Sequence, residues 1–169
     1  MFFTLILGYA SGVSSQNTDN APLTATALVL TAVDVTNLQD LNFGSIAQGT
    51  TKTMGLDGVV TGPTQQGTET VGIFSVTADN TSSVTYTLAT PSNLISGSDN
   101  LPIVFLADHR VANTPLPVGT TAIQNVATVL TMPADEIFFY IGGTINAGGP
   151  IPPPRGTYTG TVTLTVTYN

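Results

Sequence analysis

The only histidine, His109, sits in Ala107-Asp108-His109-Arg110, where a carboxylate next to an imidazole offers the raw material for general-base catalysis. Neighbours along a strand point to opposite faces, so Asp108 is poorly placed to orient His109, and a surface strand end or turn is its expected setting. There is no cysteine, and a single histidine without thiolates gives no ligand set for a transition metal. Calcium would have to draw on Asp34, Asp40, Asp57, Asp79, Asp99 or the adjacent Asp135 and Glu136. None of these falls in the D-x-[DN]-x-[DN]-G pattern that wraps the ion, and solvated turns suit them better. A glycosidase pair would need Glu69, Glu136 or a scattered aspartate, and no spacing singles out two of them. No serine stands in a G-x-S-x-G elbow. The chain is therefore read as a non-enzyme with no cofactor and no metal.

The composition narrows the partners. In 169 residues there are 3 basic and 10 acidic side chains, for a net charge of −7, and only 8% of residues are charged. Lys52, Arg110 and Arg155 cannot form the cationic stripe that tracks phosphates, which sets aside nucleic acid and anionic membranes. The length suits one domain able to bury a full core without disulfides. With 41% hydrophobic residues and a mean hydropathy of +0.29, the surface must be polar without being charged. About 30 threonines supply much of it, and threonine suits solvent-facing strand positions.

The elements that carry these residues read as strands. Met1 to Ser11 is apolar and uncharged, and a polar stretch, Gly12 to Asn20, follows it. Eleven residues are too few to span a membrane as a helix. Residues 1–22 are either a signal peptide with cleavage near Ser15, though without a basic start, or a donor strand on a polar tether. In the second case Phe3, Leu5, Leu7 and Tyr9 share one face and Phe2 and Ile6 the other, ready to complete a neighbour's sheet. Residues 23–169 form the domain. Thr24 to Val35 alternates over a length that suggests a strand crossing all of it, and it is the fallback donor if the chain begins near Gln16.

Further strands are expected at Leu41–Gly44, Gly58–Thr61, Ile103–Leu106 and Ala127–Met132. Val71–Ala78 and Ser83–Ala89 read as a hairpin around Asp79-Asn80-Thr81-Ser82. Ile137 to Ile145 is apolar on both faces and should be covered on both sides. Thr157 to Tyr168 alternates threonine with Tyr158, Val162, Leu164, Val166 and Tyr168, with Gly160 on the apolar face where a bulge or close approach would use it. Many short strands with frequent turns predict an all-β sandwich of jelly-roll, immunoglobulin-like or pilin-like kind. Asn80-Thr81-Ser82 is a glycosylation sequon on the expected turn, making Asn80 the candidate acceptor.

Three stretches carry a resemblance. Leu41-Asn42-Phe43-Gly44-Ser45-Ile46-Ala47-Gln48-Gly49 resembles the L-D-F-G-x-I-x-x-G signature of the bacterial domain-of-unknown-function family numbered 4402. Phe74-Ser75-Val76-Thr77-Ala78, with Tyr86-Thr87-Leu88 and Pro91-Ser92, is similar to that family's F-x-V-T-G…Y-T-I…P-S. The ending from Gly156 to Asn169 is similar to its G-x-Y-T-G-x-x-x-V-T-V-x-Y-x terminus. The resemblance implies a secreted bacterial β-domain without established catalytic activity, similar to pilin-like and spore-coat-like sandwiches.

The expected function is that of a structural subunit of an extracellular filament. It would polymerise head to tail with copies of itself through Phe2, Phe3, Leu5, Ile6, Leu7 and Tyr9, would have no membrane contact in its mature form, and glycans are candidate decorations. The alternative is a monomeric secreted or surface module that binds carbohydrate through exposed Tyr and Asn side chains. Mass spectrometry of the mature N-terminus separates the two. An intact Phe2–Tyr9 segment is expected for assembly through that strand, and a chain starting near Gln16 removes it as the donor.

Overall fold

The computed structural model describes residues 19–63, 66–114, 125–149 and 151–169, and the Phe2–Tyr9 segment lies outside them. The described residues form ten strands and no helix: β1 (Asp34–Gln39), β2 (Thr51–Met54), β3 (Val60–Thr61), β4 (Gly72–Thr77), β5 (Ser83–Ala89), β6 (Asn93–Ser96), β7 (Asp99–Arg110), β8 (Thr128–Thr131), β9 (Glu136–Asn146) and β10 (Thr163–Tyr168). They make the expected all-β sandwich from two antiparallel sheets, one of seven strands and one of three.

β9 is the hub of the larger sheet. Along one side its first half pairs with β4 and its second half with β2, while β7 runs along the other side. β1 lies beyond β4, β3 beyond β2, and β6 beyond β7. The smaller sheet has the order β10-β5-β8, so β10 is an edge strand. Val84, Tyr86 and Leu88 of β5 and Leu164 of β10 join Val76, Phe105, Ala107, Ile137 and Phe139 of the larger sheet in one buried core. Tyr86 meets Phe139 edge to face, with ring centroids 5.0 Å apart, a favoured aromatic geometry.

The run from Ile137 to Ile145 is covered on both sides, as its unbroken apolar character predicts. Buried Tyr140 satisfies its hydroxyl on Asn113 Oδ1 at 2.7 Å. Gly142 and Gly143 lie where the partner of β9 changes from β4 to β2. A Cβ on Gly142 would stand 2.4 Å from the Met54 carbonyl oxygen, and one on Gly143 2.6 Å from that of Val104. Only glycine permits these approaches.

Several expectations need correction. Val71–Ala78 and Ser83–Ala89 are not a hairpin. β4 pairs with β1 and β9, β5 pairs with β10 and β8, and the turn at Asp79–Ser82 carries the chain from one sheet to the other. The reason is that each strand is the interior strand of a different sheet, and Thr81 takes a φ of 65° in the crossing. Thr24 to Val35 does not cross the domain. Pairing starts at Asp34, and residues 19–32 are exposed chain outside both sheets. The ladder of the C-terminal segment covers Thr163–Tyr168; before it, Thr159 makes one bridge to Ile95, and a Cβ on Gly160 would meet Leu94 at 2.8 Å. Leu41–Gly44 makes only a bridge from Asn42 to Thr70. β2 and β6 are four-residue strands that no run of alternating apolar residues announces.

Gly142→Ala should destabilise the fold by about 1–3 kcal/mol, the usual cost of overpacking. Urea unfolding measures this, and an unchanged midpoint would show that β9 does not depend on the close approach.

Candidate functional site

The residues that chemistry would have used do not converge. His109 lies near the end of β7 with its side chain 27% exposed, its ring centroid 5.4 Å from that of Phe139 and 6.4 Å from that of Tyr86. The Asp108 carboxylate accepts from the His109 backbone N–H at 2.8 Å and stays 3.7 Å from Nδ1. The imidazole is thus held by aromatic packing, with no carboxylate orienting it.

The remaining acids cap loops and strand ends. Asp40 accepts from Asn37, Asp57 from the Val59 N–H, and Asp135 from the Asn80 N–H. Glu136 accepts from Ser75 at 2.6 Å. Among the described residues no three His, Asp or Glu side chains gather to hold a metal. Asn80 is exposed in the turn between β4 and β5.

What the fold does build is a groove of about 1150 Å³. Its floor is the inner face of the larger sheet, where Gly72 and Phe74 of β4, Ile141 and Ile145 of β9, and Ile103 and Phe105 of β7 point the same way. One wall is the Leu41–Gln48 loop and the other is the chain from Pro153 to Val162 leading into β10. The apolar side chains left partly uncovered along it are Leu41, Ile46, Phe74, Leu94, Tyr158 and Val162. Amides and carbonyls of Gly160, Thr161 and Val162 stand in no ladder, and among the described residues β10 has a strand on one side only. A hydrogen bond of 2.7 Å from Gln48 Nε2 to the Pro153 carbonyl ties the two walls together next to Ala147.

The first wall is held by the one buried ion pair among the described residues. Lys52 is fully buried on β2 and donates to Glu69 Oε1 at 2.6 Å and to the Ser45 carbonyl at 2.9 Å. Glu69 also accepts from the Gln66 N–H at 2.8 Å. These bonds, with Lys52 first, hold its carboxyl at about 2, well below the ordinary value of 4.5. Gly44 has a φ of +61°, and a Cβ there would stand 3.0 Å from Glu69 Oε1. The glycine of Leu41-Asn42-Phe43-Gly44 thus lets the loop lie down on the ion pair. Glu69 and Lys52 passed unremarked as a pair in the sequence because 17 residues and two loops separate them.

On the far end of the molecule the chain before β1 is exposed. Leu23 is 93% exposed, Leu28 86% and Val29 90%. This arm is fastened at its root by Thr31, whose N–H and Oγ1 donate to the two Asp79 carboxylate oxygens at 2.5 and 2.9 Å, and whose carbonyl accepts from the Tyr168 hydroxyl at 2.9 Å.

Comparison with known proteins adds a family and no chemistry. A family model described as a domain of unknown function (DUF4402) matches residues 33–168. The match runs from the residue before β1 to the last residue of β10, leaving the arm outside it. No curated protein matches the chain.

Glu69 binds no proton in the folded protein until the pH approaches 2, whereas in the unfolded chain it protonates near 4.5. Its stabilising contribution is therefore complete above about pH 4.5 and is lost as the pH falls towards 2. Melting temperatures from pH 6 to pH 2 should fall more steeply for the wild-type chain than for Glu69→Gln. Parallel curves would remove the ion pair from the account of the wall.

Proposed function

The chain belongs to the DUF4402 family, and from that premise we propose that it is the structural subunit of an extracellular bacterial filament. In the filament, chain N-terminal to β1 of one copy is added as a strand to the next. The observation that carries this reading is the groove. Its floor is apolar, one wall is the chain that leads into the edge strand β10, and among the described residues no three His, Asp or Glu side chains gather to hold a metal. An unpaired sheet edge beside partly covered apolar side chains such as Phe74, Leu94 and Val162 is a liability in a monomer and a docking site in a polymer. Full burial of four medium-sized apolar side chains contributes on the order of 6–10 kcal/mol before the entropy of ordering. A contact between two different surfaces of the same chain repeats without closing, which yields a fibre. The low charge supports the reading too, since little like-charge repulsion opposes stacking of subunits.

A second reading, a secreted module that binds carbohydrate, draws on the amides of Asn37, Gln39, Asn42 and Gln48 beside Tyr158 around the same groove. It requires a monomer, so assembly state distinguishes the two.

The full chain should form filaments visible by electron microscopy, and a chain lacking residues 1–30 should remain folded and monomeric. Filaments of the same kind from the truncated chain would overturn strand addition from the N-terminal side. A full chain that stays monomeric at high concentration would leave the binding module.

A further inference from the structure

The arm and the groove lie at opposite poles of the sandwich, and three strands say so independently. β1 starts at Asp34, next to the arm root, and ends at Gln39, which lines the groove. β4 starts at Gly72 in the groove and leads to Asp79, the anchor of Thr31. β10 is entered from Val162 in the groove and ends at Tyr168, the other anchor. Six residues of strand span about 20 Å. Because β1 runs from the arm root towards the groove, the arm, followed backwards from Asp34, leads away from it. To reach its own groove the arm would have to release Thr31 and reverse along the length of the molecule. A second copy stacked on that pole offers a groove without any reversal.

The arm is built for insertion. From Ala21 to Val33 it has no charged side chain. In extended form Leu23, Ala25, Ala27 and Val29 share one face, and Thr24, Thr26, Leu28 and Leu30 lie on the other. The first set is small or apolar throughout. The two threonines match the outward Thr163, Thr165 and Thr167 of β10, whose Leu164 and Val166 face inward. A strand laid beside β10 with Ala27 inward continues the threonine surface outside at Thr24 and Thr26 and the apolar core inside.

We infer that the donated segment is the arm Leu23–Leu30, which enters the groove of the next copy with Leu23, Ala25, Ala27 and Val29 on the floor, antiparallel to β10. The inference rests on the filament reading above and names its donor. The direction follows from polarity. The C-terminal end of the arm stays with its own domain outside the groove pole, and β10 runs away from that pole. The pairing therefore extends an antiparallel sheet. Phe2–Tyr9 is then not the segment that fills the groove.

The absence of cysteine makes the test direct. Full-length Ala27→Cys protein is mixed with full-length Val162→Cys protein, oxidised and run on a non-reducing gel, beside a Leu5→Cys and Val162→Cys mixture. Filament formation is compared for Ala27→Asp and for Thr26→Asp, its neighbour on the other face. A disulfide between the Ala27 and Val162 variants, loss of filaments in Ala27→Asp and their retention in Thr26→Asp are expected. Filaments that persist in Ala27→Asp, or a disulfide confined to the Leu5 mixture, would overturn the arm as donor and leave the filament reading standing. A wild-type chain that forms no filaments would overturn both.

Discussion

The larger sheet presents an inner face longer than the three strands of the smaller sheet can cover. Over Val76, Ile137, Phe139 and Ala107 the face is closed by Val84, Tyr86 and Leu88. Towards Gly72, Ile103 and Ile145 it is closed only by the Leu41–Gln48 loop and the approach to β10, and the space between them is the groove. Partly covered apolar side chains beside an unpaired edge are an uncomfortable arrangement for a sandwich, because main-chain groups there stand in no ladder. Strand order, loop placement and the polarity of the arm all acquire meaning from that mismatch.

The large sheet achieves its width through one strand. β9 serves β4, β2 and β7, and it does so by changing partners at Gly142 and Gly143, where no side chain stands between it and the neighbouring carbonyls. Around the groove the chain spends one of its three cations on structure. Burying Lys52 requires a partner and further acceptors for its protons, which Glu69 and the Ser45 carbonyl supply. The Leu41-Asn42-Phe43-Gly44 motif owes its glycine to this pair, and the wall of the groove owes its position to the motif.

Alternation and two-sided hydrophobicity were sufficient to read β5, β8, β9 and the last half of the C-terminal segment, because burial on known faces leaves a period in the residues. The same signal misled at Thr24 to Val35. An exposed arm alternates like a strand already in its sheet, and nothing local distinguishes them. Asp79-Asn80-Thr81-Ser82 is turn chemistry whether the flanking strands pair or part, so the choice between hairpin and crossing could not be made there. β2 was illegible because Lys52 occupies a core position that its type alone argues against. Of the groove, the sequence announced Leu41 to Gly44 and Gly160 as special positions but not that they face one another.

By itself the sequence determined the class of fold, the sparse charge and the lack of a thiol or imidazole cluster, all properties of residue type and period. Only the tertiary structure decided which strands share a sheet, that Lys52 and Glu69 meet, and that the arm and groove lie at opposite poles. Those facts depend on long-range pairing. A hydrogen-bond ladder fixes register between segments, and local pattern has no means of encoding which segment arrives on the other side.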